Sequence, residues 1–234
     1  MENKNIAQTI SKFLLILHEF YRMVVSKISG KRYETLAVIK LKSVWINIYK
    51  EWFDVNVDFS NLFIPNFYDP TKHFAVIVAK GLTLNQIIAG MRKEVNVDFY
   101  AGFYGPIDPN LHVINHDYVV PINSNSRVAD CNYVAVFYKN IAADENLENT
   151  SADRLADMNI SGITLLERLL LEILCIEQVE KNLDNNGTWT LCSGSRDSDG
   201  DVPCVTWRRN CLYIDCEAPT SHGCNLRSRA VVSR

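Results

Sequence analysis

Apolar residues recur at helical spacing through the first thirty positions: Ile6, Ile10, Phe13, Leu14, Leu17, Phe20, Tyr21, Val24 and Ile28. Lys12, Glu19 and Arg22 fill polar positions and Gly30 follows, which predicts an amphipathic helix over 6–28. A second apolar-rich piece, 33–52, reads as helical or mixed. From Phe53 the period changes to two: Val55, Val57 and Phe59 alternate with Asn56 and Asp58, the pattern of a half-buried strand. Pro65 and the Tyr68-Asp69-Pro70 turn break it. Residues 74–79 (FAVIVA) predict a buried strand ended by Gly81, with Thr83 as N-cap of a short helix through Ile87, Ile88 and Met91. Val95, Val97 and Phe99 restart the strand pattern. Residues 102–127, with Gly105-Pro106, Asp108-Pro109 and Pro121, predict a long loop holding a short extended piece at 118–120. Residues 131–138 predict a strand, and 149–158 a polar helix or loop capped by Ser151. Thr164-Leu-Leu-Glu167 is a capping box, in which each side chain satisfies an exposed amide of the other. Leu165, Leu166, Leu169, Leu170, Ile173, Leu174 and Ile176 then predict a core helix to about Val179.

The C-terminal segment from Trp189 to Arg234 is patterned differently. Val205 and Trp207 point one way and Cys204 and Thr206 the other; Leu212 and Ile214 oppose Cys211, Tyr213 and Asp215. The apolar set predicts the core side, and the other set predicts an exposed face, joined by the loop 218–225. A one-residue slip would expose the apolar set, so the pattern specifies its own register.

Composition sharpens the contrast. Five of the seven cysteines (192, 204, 211, 216 and 224) fall in this segment; Lys, Gln and Met are absent after Lys181, and Glu217 is the only Glu there. With L-C-S-G-S-R leading in, Trp207 in the middle and L-R-S-R closing, the segment resembles the variable region of diversity-generating retroelement target proteins. In that family template adenines are mutagenised, so Asn codons reach Asp, Thr, Ser, His, Gly, Arg, Tyr and Cys but never Lys, Glu, Gln, Met or Trp. The resemblance implies an α+β, C-type-lectin-like domain over 53–234 with its variable region at about 189–234, behind a helical N-terminal extension, 1–52. It further implies a non-enzymatic ligand-binding protein. Its expected ligand-binding residues are Asp197, Asp201, Cys204, Thr206, Arg208, Cys211, Tyr213, Asp215, Cys216, Thr220, Ser221, His222, Gly223, Cys224 and Asn225. The helix from Thr164, with Trp207, Arg227 and Arg229, is the expected fixed scaffold. The expected partner is a protein or other surface ligand, and the N-terminal helix is the expected site of homo-oligomerisation or attachment.

Charge and motifs narrow the rest. At 234 residues and 47% hydrophobic the chain holds one large or two small domains. A net charge of −3 gives no electrostatic footprint for nucleic acid. The apolar run 13–17 is too short for a transmembrane span or a signal-peptide core, which leads to an expected cytoplasmic location. Gly81 before the helix lacks the further glycines of a dinucleotide-binding turn. Asp197-Ser-Asp-Gly-Asp201 evokes a calcium loop, yet Gly200 stands fourth and Arg208 twelfth, where an EF-hand has Gly sixth and Glu twelfth. No C-x-x-C pair marks a zinc site. His112 and His116, four apart with Asp117 adjacent, fall where Pro109 argues against a helix. No cofactor or metal is expected. The alternative function is a hydrolase whose nucleophile pairs His222 with Cys216 or Cys224.

Overall fold

A computed structural model describes Leu17, Phe20, Tyr21, Val24 and residues 34–99, 122–197 and 199–232. The chain divides into two compact units, Met1–Trp45 and Ile46–Arg234. In the first, Leu17, Phe20, Tyr21 and Val24 are helical and exposed. The rest of the predicted helix 6–28 lies outside the described residues, as do His112, His116, Asp117 and the extended piece 118–120. Helix α1 (Leu36–Phe53) starts at Thr35, whose hydroxyl accepts Val38 N at 3.3 Å and whose carbonyl accepts Ile39 N at 3.1 Å.

The last residues of α1 belong to the second unit, and their side chains show why. The Tyr49 phenol donates to Ile77 O (3.0 Å) and accepts Ala79 N (2.7 Å), so it satisfies the edge of strand β1 (His73–Val78). Trp52 Nε1 donates to Glu177 Oε1 at 2.9 Å. An extension expected to end at residue 52 therefore supplies core to the domain behind it. Past α1, Asp54 takes φ 55° and the chain runs on through 55–59 with the predicted alternation of burial, ending on fully buried Phe59. The predicted strand there has no ladder partner among the described residues; periodicity reported the alternation of burial but not the pairing.

Strand β1 is buried along its whole length and pairs antiparallel with β4 (Tyr133–Tyr138), His73 opposite Tyr138 and Val78 opposite Tyr133. Between them the chain forms α2 (Leu84–Met91), whose Thr83 and Gln86 make a reciprocal capping box, then β2 (Asn96–Phe99) and β3 (Ile122–Asn125). Helix α3 (Ala152–Asp157) is capped by Ser151, and α4 (Leu165–Val179) by the predicted box: Thr164 Oγ1 accepts Glu167 N, and Glu167 Oε2 accepts Thr164 N at 2.9 Å. The remaining strands are β5 (Trp189–Leu191), β6 (Ser195–Asp197), β7 (Val202–Arg208), β8 (Cys211–Glu217) and β9 (Leu226–Ser228). Five strands form one mixed sheet in the order β2-β8-β7-β5-β9, while β3 pairs with β6 separately. The fold is mixed α+β. Among the described residues no helix is long and apolar enough to cross a membrane.

Helix α4 packs on α2, β1 and β7 and carries a buried ionic network. Arg168 donates to Glu172 Oε2 (2.6 Å) and Asp184 Oδ2 (2.9 Å); Arg229 donates to Asp184 Oδ1 (3.0 Å); Trp207 Nε1 donates to Glu172 Oε1 (2.7 Å). All four charged side chains are at most 1% exposed, so two guanidiniums balance two carboxylates away from water. Burial works against the charge on Arg168, but Glu172 and Asp184 outweigh it and hold the guanidinium above its ordinary value. Thr190 Oγ1 and Ala143 N also donate to Asp184. The network thereby ties α4, β5, β7 and the segment after β9 into one frame.

The lead-in L-C-S-G-S-R has a steric cause. A Cβ on Gly194 would lie 2.7 Å from the Gly162 carbonyl oxygen, and one on Gly162 would lie 1.7 Å from Ser193 Oγ. Two backbones cross here with no room for side chains, held by Gly194 N to Ile163 O (3.0 Å) and the Gly162–Ala230 bridge.

Candidate functional site

The β7–β8 hairpin sets the faces. Its register pairs Cys204 with Asp215, Val205 with Ile214, Thr206 with Tyr213 and Trp207 with Leu212. Directly opposed residues share a face, so Cys204, Thr206, Tyr213 and Asp215 lie together, away from Trp207 and its bond to α4. Two-residue spacing adds Cys211 and Glu217 to that face and puts Cys216 on the other side, with Leu212 and Ile214.

Sidedness is not exposure, and here the prediction needs correcting. Strand β7 is buried from Val202 through Trp207, on both faces. Cys204 sits in an apolar cluster with Ala152 of α3, Leu191 and Val202, against Trp189 and Leu226. Thr206 donates to Thr188 O at 2.6 Å, under the segment that leads into β5. Because α3 and residues 184–188 cover this half of the face, Cys204 and Thr206 are core. Asp197 is also buried: its Oδ1 accepts Asp199 N (2.9 Å) and Asp201 N (2.8 Å), so it anchors the turn that leads into β7, with Asp201 at the far end.

The uncovered half carries Arg208, Cys211, Tyr213 and Asp215. Tyr213 is partly exposed, edge-on to Trp189 (centroids 6.4 Å, planes at 87°), with the exposed Arg208 guanidinium 5.9 Å from its ring centroid. Asp215 is partly exposed; burial and then the neighbouring Glu217 charge raise its carboxyl above the usual range, against the pull of its bond from Cys216 N. Cys211 is partly exposed, and burial followed by Asp98 raises its thiol.

Beyond β8 the loop 218–225 forms a groove of about 430 Å³ whose lining includes Thr220, Ser221, His222, Gly223, Cys224 and Asn225. Trp189, Glu217 and Leu226 complete it. The loop keeps its shape through main-chain bonds. Ser221 N donates to Ala218 O (2.8 Å), Leu226 N to Gly223 O (3.0 Å), Trp189 N to Asn225 O (2.7 Å) and Asp153 N to Pro219 O (3.1 Å). Side-chain contacts within the loop are local: His222 Nδ1 meets Thr220 O at 3.1 Å and the Cys224 thiol meets Asn225 Oδ1 at 3.6 Å.

Sequence reasoning missed Trp189 and Glu217, and the reason is instructive. The codon rule that selects candidate positions excludes Trp and Glu by construction. Strand parity could have found them: Glu217 continues the 211–213–215 series, and Trp189 is two residues from Leu191. Among the described residues, no group of three or more His, Cys, Asp or Glu side chains is placed to hold a metal ion. No protein-family profile, curated protein or solved structure matches this chain.

Proposed function

We propose that this chain is a ligand-recognition protein of the diversity-generating retroelement type, with a C-type-lectin-like domain and a recognition surface at the groove and the open half of the β8 face. One observation carries the reading. Thr220, Ser221, His222, Cys224 and Asn225 share one concave surface, and the loop that presents them is held by main-chain hydrogen bonds. Side chains there can change without loosening the loop, whereas the ionic network below fixes the frame. That division of labour is what a diversified surface needs. The working surface is Arg208, Tyr213, Asp215 and 220–225; Cys204, Thr206 and Asp197 serve the frame. The exposed apolar positions Leu17, Phe20, Tyr21 and Val24, at i, i+3, i+4 and i+7, support a role for the N-terminal helix in self-association or attachment.

The test is sequencing of the gene's 3′ end across a population of the source cells. Substitutions concentrated at the codons of 208–225, at template adenines, with flanks unchanged, are the expected result; uniform sparse variation along the gene refutes the reading. In parallel, a library randomised at 220–222, 224 and 225 should keep its fold, within about 0.5 kcal/mol per exposed substitution, and yield binders to unrelated targets.

A further inference from the structure

The groove is chemically lopsided. Its one acidic side chain is Glu217, which shares the cavity with the Trp189 indole and the apolar Leu226. Asp215 stands two residues away on the same face of β8. Among the described residues neither Asp215 nor Glu217 forms an ion pair; the six acidic side chains that do are Glu34, Asp69, Glu148, Glu167, Glu172 and Asp184. The charge felt most by Asp215 is the like charge of Glu217. Two adjacent carboxylates without a counter-ion, beside an aromatic ring, make a surface whose complement is a cation with an apolar stem.

We infer that the groove seats a basic side chain, Arg or Lys, presented by a partner polypeptide, its cationic head on Glu217 and its aliphatic stem along Trp189 and Leu226. The assignment rests on the groove being the recognition surface proposed above. Two features of the site favour a polypeptide-borne cation over a free amine. The groove opens beside Tyr213, which extends the aromatic surface along β8 past Trp189, so residues flanking the basic side chain find contact area. The same face already holds a guanidinium against a ring, Arg208 over Tyr213, at the far end of the strand from Glu217. A carboxylate paired with an indole suits a cation in two ways: the carboxylate supplies a charge-assisted hydrogen bond, and the ring face attracts the same charge.

The experiment is an NMR titration of the full chain with three capped pentapeptides, Gly-Gly-Xaa-Gly-Gly with Xaa Arg, Lys or Glu. The Arg and Lys peptides should shift the Trp189 indole N–H and the amides of 217 and 220–226 saturably, and the Glu peptide should not. Glu217→Gln should weaken the interaction at least tenfold and leave the fold intact, because the carboxylate holds no ion pair. Raising salt should weaken binding to the parent protein and much less so to the variant. Equal shifts from the Glu peptide, no shifts from the basic peptides, or unchanged affinity in Glu217→Gln overturns the assignment. Should the basic peptides fail while the randomised loop still yields binders, the cation assignment alone falls; loss of both removes the recognition reading as well.

Discussion

Replacing Asp184 by Asn tests whether the ionic network is the frame of the domain. The side chain accepts four hydrogen bonds, from Arg168 Nη2, Arg229 Nη2, Thr190 Oγ1 and Ala143 N, at 2.9, 3.0, 2.5 and 2.8 Å. The amide keeps one acceptor oxygen and turns an NH₂ toward donors at the other. It also leaves two guanidiniums facing one carboxylate in a site with at most 1% exposure. Two independent routes give the size. Each hydrogen bond to a charged group is worth about 1.5–3 kcal/mol, and two are lost on one oxygen. Removing one partner of a buried ion pair costs about 3–5 kcal/mol. Both converge on a loss of about 3–5 kcal/mol. Urea unfolding followed by tryptophan fluorescence reads it directly, since Trp207 donates to Glu172 in the same network. A midpoint shift worth less than about 1 kcal/mol, with an unchanged slope, would refute the reasoning, because it would mean that water shares the site. Asp184→Asn combined with Arg229→Met restores neutrality, and the double variant should be more stable than the sum of the single losses by at least about 1 kcal/mol.

Three further outcomes follow from other parts of the molecule. Iodoacetamide at pH 8 should modify the exposed Cys131 and Cys224 in the native protein and spare Cys175 and Cys192, whose thiols burial pushes up to about 12, and Cys204, which burial drives well above its usual value; peptide mass mapping that finds Cys204 labelled as fast as Cys224 would mean the β7 face is open. Asp215→Asn should stabilise at neutral pH. The native carboxyl is raised, so its favourable contribution exists below the ordinary aspartate range and is lost as pH climbs through the raised value; the variant's advantage should therefore vanish in acid, and thermal unfolding against pH would expose the opposite trend. At the β7–β8 turn, Arg209 and Asn210 take φ 49° and 61°, so Arg209→Asn with Asn210→Gly should add about 1 kcal/mol, read as a higher Tm; a lower one would contradict the turn geometry.

Much of the frame is legible in the chain because local chemistry decides it. The Thr164–Glu167 box, the Thr83 and Ser151 caps and the β1 run are each set by neighbours a few residues apart. The hairpin alternation likewise gives the correct partner faces. What it cannot give is what lies above a face, and so Cys204 and Thr206 read as exposed although α3 and residues 184–188 cover them. Coverage depends on segments 18 to 52 residues away in sequence, beyond the reach of any periodicity. The buried charges were equally hidden: nothing in the spacing of Arg168, Glu172 and Asp184 tells that the fold closes over them. Residues 55–59 show the converse limit, since an alternation of burial can exist without a neighbouring strand.

Arg229 follows the loop in the chain, yet it completes the charge balance of a site that α4 begins. This placement has a consequence for genetic errors. A single-base insertion or deletion anywhere in the codons of 197–225 replaces every later residue, Arg229 included. Asp184 then loses one of its two guanidinium partners, and the buried site is left with one positive group against two negative ones. In-frame changes in the loop leave that balance untouched. A frameshift in the segment thus leaves an unbalanced buried charge, whereas a substitution confined to the loop 218–225 does not.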